Sequence, residues 1–440
     1  MQVRSLKGPV EFAALQALNP ARYPFLLQST ARQGDLGRYD VLFAFPSDEL
    51  VASATATDVR PFLERLGAAF ERERREPRES ALPFSGGWFL YLGYELAAEI
   101  EPSLAPGVDP LLPRAFAVRC PAALVRDLTT KRVWMIAEDD NQSWERAVAA
   151  DIRALGSQRE RRTLPAIRAV IEAPAREFTD AVTAAKRYIA DGQIYQANLS
   201  REWSVKGDAR FDPLTLFRRL STCNPAPFAG LLRWRDVAVV SSSPERLVQV
   251  CGNRISTRPI AGTRPRSDDA ARDRALLDEL IAHPKERAEH VMLIDLERND
   301  LGRVSVPGTV AVDEMMALET YAHVHHIVSN VSGVLRADTR PSDVIGATFP
   351  GGTITGCPKV RCMQIIQELE GAARGAYTGS FGYLNRDGSM DLNILIRTLV
   401  AHEDAVWFRA GSGIVADSDP LHELEETRAK AKGLLKVFSE

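Results

Sequence analysis

The sequence predicts an α+β fold with largely antiparallel sheet. Strand-like and helix-like segments come in blocks rather than in strict alternation, which argues against a Rossmann-like order. The runs FAGLLRW, VAVVSSS and RLVQVCGNRISTRPI follow one another in the middle of the chain. The last contains Gly252-Asn253, a tight-turn pair of the kind that joins antiparallel strands.

In chain order, the first clear element of this region is FTDAVTAAKRYIADGQIYQANLSREW. Apolar residues at helical spacing run to Asp191-Gly192 and then give way to an alternating strand. In HPKERAEHVMLIDLERNDLG, Pro284 suits a first helical turn, and Glu286 and Glu289 fall at i and i+3 on one face. YAHVHHIV reads as a strand with His323 and His325 on one face and His326 on the other. Zinc would need a completing Cys or carboxylate, so packing is the favoured role of these histidines. DLNILIRTLV reads as a strand-like apolar run in which Arg397 needs an ionic partner, either a substrate carboxylate or an internal Asp or Glu. In DSDPLHELEETRAKAKGLLKVF, Asp419 caps and Pro420 starts a helix that places Glu423 and Glu426 at i and i+3.

Composition sets the function classes. The 440 residues are 45% apolar and 26% charged, as in ordinary folded proteins, and could form one large domain or two or three smaller ones. With 55 Lys and Arg against 58 Asp and Glu, the formal charge of −3 gives no electrostatic reason to expect nucleic acid or an anionic membrane. Cys120, Cys223, Cys251, Cys357 and Cys362 show no metal-ligand spacing and read as reduced thiols. MQVRSLKGPVEFAALQ has no signal-like apolar run, and the expected location is the cytoplasm. The basic, proline-containing stretch RALGSQRERRTLPAIRAVIEAPAREF separates a motif-poor 1–165 from a motif-dense 175–440.

Two Glu-x-x-Glu faces suit Mg²⁺, which takes a few carboxylates and keeps positions for water and substrate oxygens. Glutamates in a first helical turn also favour the dipole and are usually solvated, and spacing alone favours that plainer reading. The glycine-rich turns FPGGTITGCPK, GAYTGSFGY and AGSGIVADSDP could offer backbone N–H groups to an anion, although none is a Walker loop.

Taken in order, PIAGTRPR, HPKERAEHVMLIDLERNDLGRV, FPGGTITGCPKVRCMQIIQELE, GSMDLNILIRT and AGSGIVADSDPLHELEET resemble the chorismate-utilising enzymes, over essentially all of the second part. The resemblance implies antiparallel sheets packed face to face with helices outside. It makes 1–165 the N-terminal region and 175–440 the chorismate-binding catalytic region. It also implies a Mg²⁺-dependent site, with Glu289 and Glu426 as direct ligands and Glu286 and Glu423 supporting through water. Thr353, Tyr377, Arg397, Gly411, Gly413 and Lys430 match positions that hold the substrate carboxylates, His326 matches a histidine beside the ring, and Glu245 matches the acid that assists loss of the C4 hydroxyl.

The same resemblance bears on the nucleophile. Isochorismate and salicylate synthases carry a water-activating Lys where this chain has Gln196, and an amide is no base, so ammonia is the expected nucleophile. Ammonia implies a separate glutamine amidotransferase subunit. Many aminodeoxychorismate synthases carry a nucleophilic Lys where this chain has Ala261, and anthranilate synthases carry Ala. Against that residue, LLQSTARQGDLGRYDVLFAF, GGWFLYLGYELA, GQIYQANLSREW, CNPAPFAGLL and GSMDLNILIRT are more similar to aminodeoxychorismate synthase component I, which is the expectation taken forward. The alternatives are anthranilate synthase component I and a noncatalytic chorismate-binding subunit. LLQS and CNPAPF also resemble the pocket that binds tryptophan in some members of the family.

Overall fold

The run VAVVSSS has no polar face because its strand is covered on both sides. In Val237–Ser243, Val237 and Val239 join one apolar cluster while Ala238 and Val240 join another. The computed structural model describes residues 1–439 except 7, 32–35, 54–59, 77–81, 106, 156–162 and 322–323; the side chains of 263 and 285 also lie outside the described residues. His323 and part of the basic stretch between the two parts of the chain lie outside the described residues.

Among the described residues there are two sheets, and every strand pairing in them is antiparallel. From one edge, the first holds Gln2–Leu6, Arg132–Ala137, Ala122–Asp127, Tyr39–Ala44, Phe25–Leu27, Phe228–Trp234, Val237–Ser243, Thr398–His402, Ala405–Ile414 and Gln196–Gly207. The short strands Ile167–Glu172 and Gly356–Cys357 close the far edge. The second holds Ile260–Pro265, Val324–Val334, Arg254–Arg258, Arg246–Cys251, Met390–Asn393, Ser380–Asn385, Gly87–Leu92, Ala115–Cys120 and Glu49–Ala52, with Ala311–Thr320 alongside Val324–Val334. Residues of 1–165 and of 175–440 contribute strands to both sheets: Phe25–Leu27 pairs with Phe228–Trp234, and Gly87–Leu92 with Ser380–Asn385.

The sheets pack face to face. Phe25 of the first stacks on Phe89 of the second at 4.1 Å between ring centroids, and Trp234 stacks on Phe116 at 4.0 Å. Stacked pairs of this kind add about 0.5–1.5 kcal/mol each beyond the area they bury. Helices cover the outer faces. Phe12, Leu216, Phe217 and Leu434 pack on the first sheet, and Phe62, Leu66, Ile294 and Ile345 on the second.

Helix boundaries follow their local chemistry. The Asp212 side chain accepts from the Thr215 N–H and Pro213 occupies the first turn of Pro213–Cys223. In Pro420–Leu435 the Asp419 side chain accepts from the N–H groups of Leu421 and His422. Pro284–Gly302 starts at its proline as expected, with His283 at the N-cap.

One buried ionic cluster ties the Lys359–Glu370 helix to the first sheet. Glu370 accepts from the Ser200 N–H at 2.7 Å and from Arg374 at 2.6 Å, and its other oxygen accepts from Arg409 at 3.1 Å. Burial alone would raise its pKa, but Arg374, Arg409 and the Ser200 N–H outweigh burial and hold it below the usual carboxylate value. Removing this carboxylate leaves the buried Arg374 without its counterion and Arg409 with only Glu202 at 3.9 Å. Glu370→Ala is therefore expected to lower the unfolding free energy by about 3–5 kcal/mol, read as a reduced urea midpoint at unchanged slope.

Candidate active site

The site forms where the chain passes from one sheet to the other. Val237–Ser243 lies in the first sheet and Arg246–Cys251 in the second, so Pro244 and Glu245 make the crossing. DLNILIRTLV makes the reverse crossing. Its Met390–Asn393 strand belongs to the second sheet and Thr398–His402 to the first, with Ile394–Arg397 between them. This corrects the reading of that run as one strand: its two ends pair in different sheets, and between them Arg397 adopts a left-handed φ of 54°. The two crossings touch, because the Ile394 N–H donates to the Glu245 carbonyl at 3.0 Å and the Ser242 N–H to the Arg397 carbonyl at 3.1 Å.

Glu245 is buried, and its carboxyl accepts from the Thr353 hydroxyl at 2.6 Å and from the Ile260 backbone. Burial pushes its pKa up to about 7 against those two stabilising contacts, so the group holds its proton over much of the range in which a free glutamate has lost it. Thr353 is itself fixed, since its carbonyl accepts from Asn198 Nδ2 at 2.6 Å.

Arg397 is half-buried, and its desolvation lowers its pKa. Its guanidinium donates to Asn224 Oδ1 at 3.1 Å, and among the described residues no carboxylate pairs with it. Of the two partners that the sequence allowed, an internal acid is absent from its described ion pairs. Tyr377 and His326 share its electrostatic field. Burial, then Arg397, lower the pKa of His326 to about 4, so its ring is neutral, and Nδ1 lies 3.5 Å from the Gly262 carbonyl. His325 points elsewhere, between Thr320 and Asp273, so the two neighbouring histidines do not converge.

Ala261 and Gly262 lie in the Ile260–Pro265 strand, where the register against Val324–Val334 shifts between Ala261 and Thr263. Gly262 has a φ of 72°, and a Cβ there would sit 3.0 Å from a Glu286 carboxylate oxygen. The bulge therefore brings the Ala261 strand against the first glutamate pair. Glu286 is held by Arg264 at 3.1 Å.

A second group forms around AGSGI. A Cβ at Gly411 would meet the Tyr377 hydroxyl at 2.7 Å, and one at Gly413 would collide with the Gln196 side chain, so glycine is required at both for these groups to approach. Lys430 Nζ donates to the Gly411 carbonyl at 2.9 Å and pairs with Glu426 at 2.7 Å. Glu423 is buried and accepts from the Ser412 hydroxyl. Gln196 is buried as well, and its Oε1 meets no hydrogen-bond donor among the described residues. Tyr377 joins this group to Arg397, and Asn198 joins it to Thr353 and Glu245.

None of Glu286, Glu289, Glu423 and Glu426 is fully exposed, unlike the solvated first-turn glutamates of the plainer reading. Among the described residues no three Asp, Glu, His or Cys side chains converge on one point. The chemistry of the donor set nonetheless fits a hard cation, which takes carboxylate oxygens: of the four carboxylates, Glu286 is engaged by Arg264, Glu426 by Lys430 and Glu423 by the Ser412 hydroxyl.

Asn198, Asn224 and Glu297 escaped the sequence reading. The two asparagines carry no periodic signal. Glu297 did: it follows Glu286 by eleven residues, three helical turns, and so shares its stripe. It is buried, as is Asp300, which pairs with Lys359.

A separate cavity of about 790 Å³ lies between the sheets, lined by Leu27, Gln28, Ser29, Pro227, Phe228 and Tyr383 among others. LLQS and CNPAPF meet there, and none of the site residues above lines it. No described helix is long and apolar enough to cross a membrane.

The chorismate binding enzyme family matches residues 19–436. Anthranilate synthase component 1 of Thermus thermophilus is 41% identical over 456 residues, covering 98% of this chain and 95% of the relative. Aminodeoxychorismate synthase component 1 of Bacillus subtilis is 41% identical over 361 residues, covering 79% and 76%. The crystal structure of anthranilate synthase component I from Streptococcus pneumoniae superposes with a TM-score of 0.80 at 30% identity, covering 92% of this chain and 93% of that one.

The raised pKa of Glu245 has a consequence for stability. Between its ordinary value of 4.5 and about 7, the folded protein keeps a proton that the unfolded chain releases, so this group's contribution is complete below that window and is lost as pH rises through it. Glu245→Gln cannot ionise. Its stability relative to the parent is expected to rise by a few kcal/mol from about pH 4 to about pH 8, measured by urea unfolding across that range; a constant difference would mean that the carboxyl ionises as easily folded as unfolded.

Proposed function

The chain belongs to the chorismate-binding enzyme family, and we propose that it acts as an aminodeoxychorismate synthase component I. In this reaction ammonia replaces the C4 hydroxyl of chorismate, giving 4-amino-4-deoxychorismate and water, on the route to 4-aminobenzoate and folate. The observation that carries the reading is Arg397, a half-buried guanidinium with no carboxylate partner among the described residues, on the crossing that hydrogen-bonds to the one carrying Glu245, a buried acid whose pKa is pushed up to about 7. Chorismate supplies what both lack: carboxylates for the cation, and a hydroxyl that leaves poorly unless it is protonated.

In this reading Arg397, Tyr377, Lys430, Thr353 and the N–H groups of Gly411 and Gly413 hold the substrate carboxylates, and neutral His326 lies beside the ring. Glu245 gives its proton to the departing C4 hydroxyl, and the Thr353 hydroxyl keeps that carboxyl aimed. Mg²⁺, held by Glu289 and Glu426 with Glu286 and Glu423 behind them, would supply positive charge to a substrate carboxylate when bound. Gln196 offers no base to activate water, and its unsatisfied Oε1 suits a nucleophile rich in N–H groups. Ammonia delivered by a glutamine amidotransferase subunit fits that requirement. Acid, cation and carboxylate pairs on one scaffold argue against a noncatalytic subunit.

A second reading has its own support. Ala261 offers no amine to add at C2, and anthranilate synthase names recur among the relatives, so ammonia at C2 followed by loss of pyruvate is the rival reaction. The cavity lined by LLQS and CNPAPF is where tryptophan would bind in that case.

Purified protein given chorismate, Mg²⁺ and an ammonium salt is expected to yield 4-aminobenzoate only when an aminodeoxychorismate lyase is added, as followed by chromatography and mass detection. Anthranilate without the lyase, suppressed by tryptophan, would establish the second reading. Glu426→Ala is expected to lose turnover while its thermal midpoint stays within about 2–4 °C of the parent. Undiminished activity in that variant would remove the metal assignment.

A further inference from the structure

Beneath Glu245 lies a second buried carboxyl to which the reaction assigns nothing. Glu297 sits on the Pro284–Gly302 helix among apolar neighbours, with Ile294, Leu301 and Ile354 in the same cluster. A leucine at this position would join that cluster without desolvating a polar group. The ionisable groups facing it are Asp300 on its own helix, Lys359 at the start of the Lys359–Glu370 helix and Glu245 across the turn. Lys359 is engaged with Asp300, so the ammonium does not pair with Glu297. Its hydrogen bond comes from the backbone of Gly352.

Gly352 is pressed onto this side chain. A Cβ there would lie 3.1 Å from Glu297 Oε1 and would overlap Leu296, so the backbone of the turn rests on the helix at this point. The next residue is Thr353, which donates to Glu245 at 2.6 Å. From Glu297 to the acid there is thus one backbone hydrogen bond, one peptide unit and one side-chain hydrogen bond. Burial first, then the nearby negative charges of Asp300 and Glu245, raise the pKa of Glu297, so it acts as a neutral acid that accepts from the Gly352 N–H.

We infer that Glu297 is a positioning residue for Glu245, holding the Gly352–Thr353 turn so that the Thr353 hydroxyl stays aimed at the acid. This rests on the reading of Glu245 as the proton donor. The role requires an acceptor at the reach of a Glu side chain and no negative charge.

Two conservative variants separate this from a charge role. Glu297→Gln keeps the acceptor at the same reach and removes the ionisable group; Glu297→Asp keeps an ionisable carboxyl and withdraws the acceptor by one methylene. With the full chain, chorismate, Mg²⁺ and an ammonium salt, Glu297→Gln is expected to keep kcat within about threefold of the parent. Glu297→Asp is expected to lose about tenfold or more in kcat with the KM for chorismate within about twofold, because the loss falls on the protonation step. In a Glu245→Gln background, Glu297→Asp should change kcat by less than about twofold, since a residue acting through another has nothing left to position. The reverse ranking of the two variants, equal rates for both, a loss confined to KM, or full additivity with Glu245→Gln would each overturn the inference. An unaltered rate in Glu245→Gln alone would overturn the proton-donor reading itself, and the inference with it.

Discussion

The 3.0 Å hydrogen bond from the Ile394 N–H to the Glu245 carbonyl joins the two places where the chain leaves one sheet for the other. A strand that crosses between packed sheets takes its backbone polar groups out of both ladders into a dry interior, and each must find a partner. Here the two crossings satisfy one another. The Ser242 N–H donates to Arg397, the Thr378 N–H to Leu395 and the Leu395 N–H to Gly379. The side chains at the corners are thereby released from sheet packing, and they are an acid and a guanidinium.

That arrangement has an energetic cost which the surroundings offset. A half-buried Arg397 with no carboxylate partner among the described residues and a buried Glu245 are each destabilising by desolvation. Nearby, Glu370 holds both Arg374 and Arg409, with Glu202 3.9 Å from Arg409, and it anchors the helix that follows the Gly352–Thr353 turn. Arg374 also reaches the Asn198 carbonyl at 2.7 Å, and Asn198 in turn fixes Thr353. The cluster is thereby tied through Asn198 to the turn that carries Thr353 and, through its hydroxyl, Glu245.

What the sequence made legible were features that local chemistry decides. Pro284, Asp419-Pro420 and Gly252-Asn253 mark their helix starts and turn because capping and positive φ are settled within a few residues. The Glu-x-x-Glu faces and the glycine turns were visible for the same reason. The division of DLNILIRTLV between two sheets was not, since an unbroken apolar run looks alike whether its ladder continues or changes partner. Asn224 was hidden for a related reason. Its role depends on Arg397, 173 residues away in sequence, and no periodicity connects them. The pairing of Phe25–Leu27 with Phe228–Trp234 is likewise a long-range choice, fixed by aromatic packing between the sheets.

The same geometry bears on which nucleophile enters. A lysine at the Ala261 position would carry its amine on the strand whose bulge faces Glu286, so it would stand beside the carboxylates read as the metal pair. Ala261 removes that amine and leaves the strand intact, because a small side chain disturbs neither the register shift nor the positive φ at Gly262. Gln196 occupies a different edge, against Gly413, where a lysine would be a base and an amide can only accept or donate hydrogen bonds. Neither position holds a nitrogen base, and in the proposed reaction the nucleophile is one that arrives already competent to attack, as ammonia does. The choice between C2 and C4 then rests on how the corner residues seat the ring relative to Glu245, a property of the scaffold rather than of the nucleophile.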